Sequence, residues 1–144
     1  MKLSSIKLAD TGVLNVINPD TGEPAGATIT LMSPEHPKAR AQAMQAERAR
    51  RAAAARVKRQ APEDPETQRE RFLDRLAYMT IGWSGFEEDD GSPMVHSEER
   101  AREIYGNPAF AWVRDQVIEF IGDRENFIVR SATTSSPSRA PTSD

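Results

Sequence analysis

The chain has 144 residues, 38% hydrophobic and 28% charged, with a net charge of −3, enough for one domain with part of the chain left outside its core. It has no cysteine and only two histidines, which excludes disulfides, thiolate nucleophiles and Cys-ligated zinc or iron–sulfur centres and argues against any structural zinc site. Residues 1–10 carry two lysines but no apolar segment, and no apolar run approaches the ~18 residues of a membrane span, so a soluble, cytosolic chain without a secretory signal is expected.

In chain order, residues 6–8 predict a short strand, and residues 13–17 (VLNVI) and 27–32 (ATITLM) predict a pair of strands. The second alternates, with Ile29 and Leu31 on one face and Thr28 and Thr30 on the other. Between them Asn18, Pro19, Asp20, Gly22, Pro24 and Gly26 form a dense run of turn formers, so a hairpin with a long loop is expected over residues 1–34. The Asp20-Thr21-Gly22 triplet also occurs in aspartic proteases. One copy would need a homodimer to make a site, and the flanking prolines fit a plain turn.

Ser33 and Pro34 suit an N-cap and first helical position. Residues 38–60 hold eight Lys/Arg against the single acid Glu47, and almost everything else is Ala or Gln, all strong helix formers. The segment 35–61 is therefore predicted as a basic Ala/Arg-rich helix, about 35 Å long over residues 38–60. Met44 and Val57 are its only larger apolar residues, so it has no wide apolar stripe and should project into solvent or meet a partner.

Pro62 and Pro65 break that helix, and Asp64 can cap the next, with Pro65 at its first position. Phe72, Leu73, Leu76 and Met79 then recur at helical spacing up to Ile81, and Trp83 continues the stripe. Ser97, followed by Glu98 and Glu99, predicts a short helix ending at Gly106. Asn107 and Pro108 start a last helix, stopped at Gly122, with Phe110, Val113, Val117, Phe120 and Ile121 as its stripe and Trp112 and Ile118 beside it. Phe127, Ile128 and Val129 can fold back over its end. Residues 62–130 carry sixteen acids against eight arginines and most of the large apolar residues, so an acidic three-helix lobe is expected to hold the core. Residues 131–144, rich in Ser, Thr and Pro and without a large apolar side chain, are expected to be a disordered tail. The expected class is α+β, mainly α.

The stretch TIGWSGFEEDDGSP, residues 80–93, offers three chemistries. A nucleophile elbow needs Gly-x-Ser-x-Gly. Gly82, Trp83 and Ser84 begin that pattern, but Phe86 holds the fifth place and Gly85 comes one residue early. Only His36 and His96 could serve as base, and both read as surface residues. An EF-hand loop with Gly91 sixth puts Phe86 at the first ligand position and Ser97 at the twelfth, so the first ligand and the bidentate acid are both lost. A looser cation site at Glu87, Glu88, Asp89 and Asp90 is an alternative to a solvated acidic turn. The third reading is a helix exit, with Trp83 in the core and Gly82 and Gly85 letting the chain turn. No catalytic, cofactor-binding or metal residue is assigned. The basic helix could attract phosphates, but it lacks aromatic residues for stacking and stands beside an acidic lobe, which argues against nucleic acid.

Two segments together, DTGEPAGATITLMSPEHPKAR and IGWSGFEEDDGSPMVHSEERAREIYGNPAFAWVRDQVIEFIGDRENFI, resemble tail assembly chaperones of long-tailed, siphovirus-like bacteriophages and prophages. The more specific marks are Gly-Trp-Ser-Gly, an acidic turn with Gly-x-Pro, a short helix, Asn-Pro, and a last helix running into Phe-Ile-Gly-Asp-Arg-Glu-Asn-Phe. The similarity spans residues 11–129. It implies a non-enzymatic protein without cofactors, acting in the host cytoplasm and absent from the mature virion. Such chaperones coat the tape measure protein, keep it soluble and help recruit tail tube subunits. Opposite charge on the helix and the lobe further suggests head-to-tail association along a client, with a homo-oligomer as one form. The alternatives are a structural minor tail or neck protein, or a small nucleic-acid-binding regulator using residues 38–59.

Overall fold

The fold is described from a computed structural model, over residues 1–56 and 64–129. The far end of the basic helix, the break at Pro62 and the tail at 131–144 lie outside the described residues. The architecture is α+β and mainly helical: a three-stranded antiparallel sheet with four helices.

Strands β1 (Thr11–Ile17) and β2 (Pro24–Met32) form the expected hairpin. Its loop is closed by side chains suited to turns: Asn18 Oδ1 accepts from the Asp20 amide at 2.8 Å, and Gly22 takes φ +73 and donates to the Asn18 carbonyl at 2.8 Å. Leu14, Val16, Ala27, Ile29 and Leu31 all point to the buried face, while Thr28 and Thr30 lie on the other. The expected strand at 6–8 is corrected to a single antiparallel bridge, Leu8 opposite Ile128, preceded by a 3-10 turn at Leu3–Ser5.

Helix α1 (Pro37–Ala55) starts three residues later than expected. Its cap is His36, whose Nδ1 accepts from the Lys38 amide at 3.0 Å, and Pro37 is its first residue. Ser33 instead accepts from the Glu35 amide and shapes the approach. Ala39 is the only buried residue of α1, and Arg75 ties the first turn down by donating to the Ala39 carbonyl and to Gln42 Oε1. Beyond that turn the helix stands in solvent, as its lack of an apolar stripe dictates.

Helix α2 (Pro65–Met79) is capped by Asp64 and buries Leu73, Leu76, Ala77 and Met79. Phe72, expected in the stripe, is 44% exposed although its helical position falls between those of Leu76 and Met79.

The principal correction follows α2. Residues 80–84 do not extend or leave the helix as coil; they are strand β3 (Thr80–Ser84), which joins α2 without an intervening loop and pairs antiparallel with β2. β2 is thus the central strand, and Leu14, Ile29 and Trp83 stand in one row across all three strands. The expectation that the helices alone hold the core is corrected with it: Leu14, Val16, Ile29 and Leu31 share one cluster with Leu73, Leu76, Tyr105 and Val117.

Helix α3 (Glu98–Gly106) has its expected cap, Ser97 Oγ accepting from the Arg100 amide at 2.9 Å. Asn107 caps a 3-10 turn, Pro108–Phe110, that leads into helix α4 (Ala111–Gly122). Val113 and Val117 are buried, and Trp112, Phe120 and Ile121 are partly so. Phe110 and Ile118 face outward, at 41% and 37% exposure. Past α4, Phe127 folds back as expected and meets Phe120 edge to face, ring centres 5.4 Å apart.

Candidate functional site

The residues of TIGWSGFEEDDGSP fall into three roles. Ser84 sits on the sheet face opposite the core, its Oγ 2.8 Å from Thr28 Oγ1. His96 is engaged elsewhere: its Nε2 lies 3.0 Å from the Thr80 carbonyl oxygen and its ring stands edge to face on Trp83 at 4.8 Å. The two residues that a serine-hydrolase reading would join are therefore not brought together, although a strand does precede Ser84. His96 is also corrected from a surface residue to a half-buried one, because it fills the edge of Trp83. The other histidine, His36, is spent on the α1 cap.

Trp83 is half-buried and packs on the core, with its indole N–H donating to the Met94 carbonyl at 2.9 Å and Phe86 edge to face at 5.9 Å. Of the two glycines expected to turn the chain, only Gly85 does so. Its φ is +85, and a Cβ there would overlap the Gly26 carbonyl oxygen and lie 2.8 Å from Ala27 Cα. Gly82 is an ordinary strand residue opposite Thr30, with open space where a Cβ would be.

The four acids form a small hairpin rather than a ligand cage. Glu87 bridges Pro93, the Met94 amide donates to the Phe86 carbonyl, and Gly91 (φ +87) closes the tip by donating to Glu88 O at 2.9 Å. Asp90 accepts from both the amide and the hydroxyl of Ser92, at 2.9 and 2.6 Å, and these bonds hold its carboxyl below the usual carboxylate range. Among the described residues no three His, Asp or Glu side chains converge as a metal site would require.

What this turn does build is one wall of a half-open groove of about 580 Å³. The floor is largely aromatic, with Trp83 from β3, Phe86 from the turn, and Phe110 and Trp112 from the entry to α4, set among Ile29, Met94, Ile104 and Val113. The rim carries Glu87, Glu88, Asp89 and Glu103 against one cation, Arg100. Arg100 is held by Glu88 at 2.7 Å and Glu103 at 3.3 Å, and its Nε is shielded from solvent without an acceptor. At the back wall Tyr105 is buried and shares a 2.7 Å hydrogen bond with the Thr80 hydroxyl, which itself donates to the Leu76 carbonyl. Burial pushes the Tyr105 phenol up to about 12, the Thr80 bond opposing only part of that shift.

The groove is thus aromatic below and negative above, a combination that accepts an apolar side chain flanked by cations. The sequence marked Trp83 and the acids but missed the groove: Phe110 and Trp112 read as core stripe, and Phe86 as a failed ligand position. Its one local signal is a phenylalanine set between Gly85 and the acidic run.

No family model, curated protein or solved structure matches the chain. Among the described residues no helix is long and apolar enough to cross a membrane.

Proposed function

We propose that the chain is a phage tail assembly chaperone, a non-catalytic protein that binds the tape measure protein in the host cytoplasm, keeps it soluble and helps bring tail tube subunits to it. The reading begins with the family resemblance over residues 11–129. The observation that supports it is the groove: an open aromatic floor with a carboxylate rim suits one face of a long helical client whose apolar side chains alternate with Lys or Arg. Half-open aromatic surfaces of this kind engage polypeptides by burying a few anchors while the rim sets orientation.

Co-expression with a tape measure fragment is the test. The chaperone reading requires that the fragment stay soluble with this chain, and that Trp112→Ala with Phe110→Ala reduce the soluble fraction severalfold. A fragment that precipitates equally with and without the protein rejects it. The second reading, a structural tail or neck protein, requires stoichiometric presence in purified virions, where a chaperone is absent. The exposed cations of α1 favour a nucleic-acid regulator as a third reading. It requires a mobility shift at moderate salt that is lost when Arg40 and Arg48 are replaced.

A further inference from the structure

The groove and α1 are complementary surfaces of the same chain. One face of α1 presents Arg40, Met44, Arg48 and Arg51 at intervals of four, four and three residues, along one side over about 17 Å; Glu47 shares that side and is bonded to Arg51 at 3.0 Å, leaving Arg40 and Arg48 as the cations that flank Met44. Met44 is 54% exposed and is the only large apolar side chain of α1, with the small side chains of Ala41 and Ala43 beside it. An unbranched thioether is well suited to an aromatic floor. Arginines one turn to either side of it would then meet the rim, where four carboxylates face a single guanidinium. Within one molecule this fit is not made. Arg75 fastens the first turn of α1 to α2, and neither helix contributes a residue to the groove.

We infer that the groove is a docking seat for α1 of a second copy, with Met44 on the aromatic floor and Arg40 and Arg48 at the acidic rim. The inference rests on reading the groove as a seat for a basic, amphipathic helix, and it adds what fills that seat when no client is present. Because the two surfaces are different, the contact is heterologous: each added copy leaves one free groove and one free α1, so association is open-ended unless the rotation closes a ring. A client helix of the same chemistry competes for the seat, which couples disassembly to client loading.

Sedimentation velocity over a concentration series tests this without any client. At about 50 mM salt the wild-type chain should grow beyond a monomer with concentration, and at about 500 mM growth should recede, since the attraction is screened. Arg40→Glu with Arg48→Glu removes the helix surface and keeps the groove. Glu87→Lys with Asp89→Lys removes the rim and leaves both Arg100 ion pairs in place. Each variant alone should remain monomeric, with association weakened at least tenfold. An equimolar mixture should stop at a dimer, because it contains one intact seat and one intact helix per pair. A wild-type chain that stays monomeric at low salt overturns the inference. So do variants that associate like wild type, or a mixture that stays monomeric. Loss of tape measure solubilisation by the rim variant in a chain that never self-associates would assign the groove to the client alone. Self-association that follows the expected pattern while the client precipitates regardless would instead reject the chaperone reading and keep the docking contact.

Discussion

Helices α1 and α2 begin alike and end differently. Each has a proline at its first residue and a side chain accepting from the amide two residues on, His36 in one and Asp64 in the other. Each is built from residues that favour helix. Yet α1 buries a single alanine over 19 residues, while α2 buries Leu73, Leu76, Ala77 and Met79 within 15. Caps and propensity decide that a segment is helical; the spacing of a few large apolar side chains decides whether the body holds it. Ion pairs do not make up the difference. Glu47 accepts from Arg50 at 2.6 Å and Arg51 at 3.0 Å, which holds its carboxyl down to about 2, but these bonds lie within α1 and fasten it to nothing else.

Breaking the body should therefore cost far more than breaking α1. The largest effects are expected for Leu31→Ala and Gly85→Ala. The first empties a fully buried site in the central strand, and the second forces a side chain onto the β2 backbone at positive φ. Urea denaturation should show each losing about 3–4 kcal/mol. A loss under 1 kcal/mol for Leu31→Ala would remove the sheet from the shared core. Next comes Trp83→Ala, expected at about 3 kcal/mol, since it removes half-buried packing on Phe86 and His96 as well as the bond to Met94.

Tyr105 gives the body a pH signature. Its phenol ionises near 10 when unfolded and near 12 when folded, so the folded state retains the proton longer. The stabilisation is complete below pH 10, declines above it, and has gone once pH passes 12, a total of order 2–3 kcal/mol. Stability measured from pH 9 to 12 should fall, and Tyr105→Phe should flatten the part of that slope owed to this residue. The smallest effect belongs to α1. Ala46→Gly should lower helicity locally, by roughly 1 kcal/mol of helix propensity, and shift the global urea midpoint by less than 0.5 kcal/mol equivalent. A global loss as large as that of Trp83→Ala would mean that α1 is part of the body after all.

Most of the fold was legible because its determinants are local. The turn formers at 18–26, the caps at Asp64, Ser97 and Asn107, and the alternation in β2 each act on neighbouring residues, and the structure places those elements close to where they were expected. β3 was not legible, because its five residues imitate something else. Leu76, Met79 and Trp83 keep helical spacing, no breaker separates Met79 from Thr80, and Gly82 spoils strand alternation. What makes it a strand is the ladder offered by β2, a partner remote in sequence. The groove was missed for the same reason. Trp83 and the acidic turn are contiguous, but Phe110 and Trp112 come from another element, and only the fold shows that their outward sides converge.

The order of elements also matters while the chain is being made. The hairpin emerges from the ribosome with its middle strand still open along one side, and the segment that closes it follows only after two helices have been synthesised. Until then the nascent chain exposes an unpaired strand edge beside Ile29 and Leu31, the kind of edge that recruits neighbouring chains on a crowded polysome. Because Thr80 follows Met79 directly, docking α2 brings the missing strand with it, so one event both covers the sheet and seals its edge.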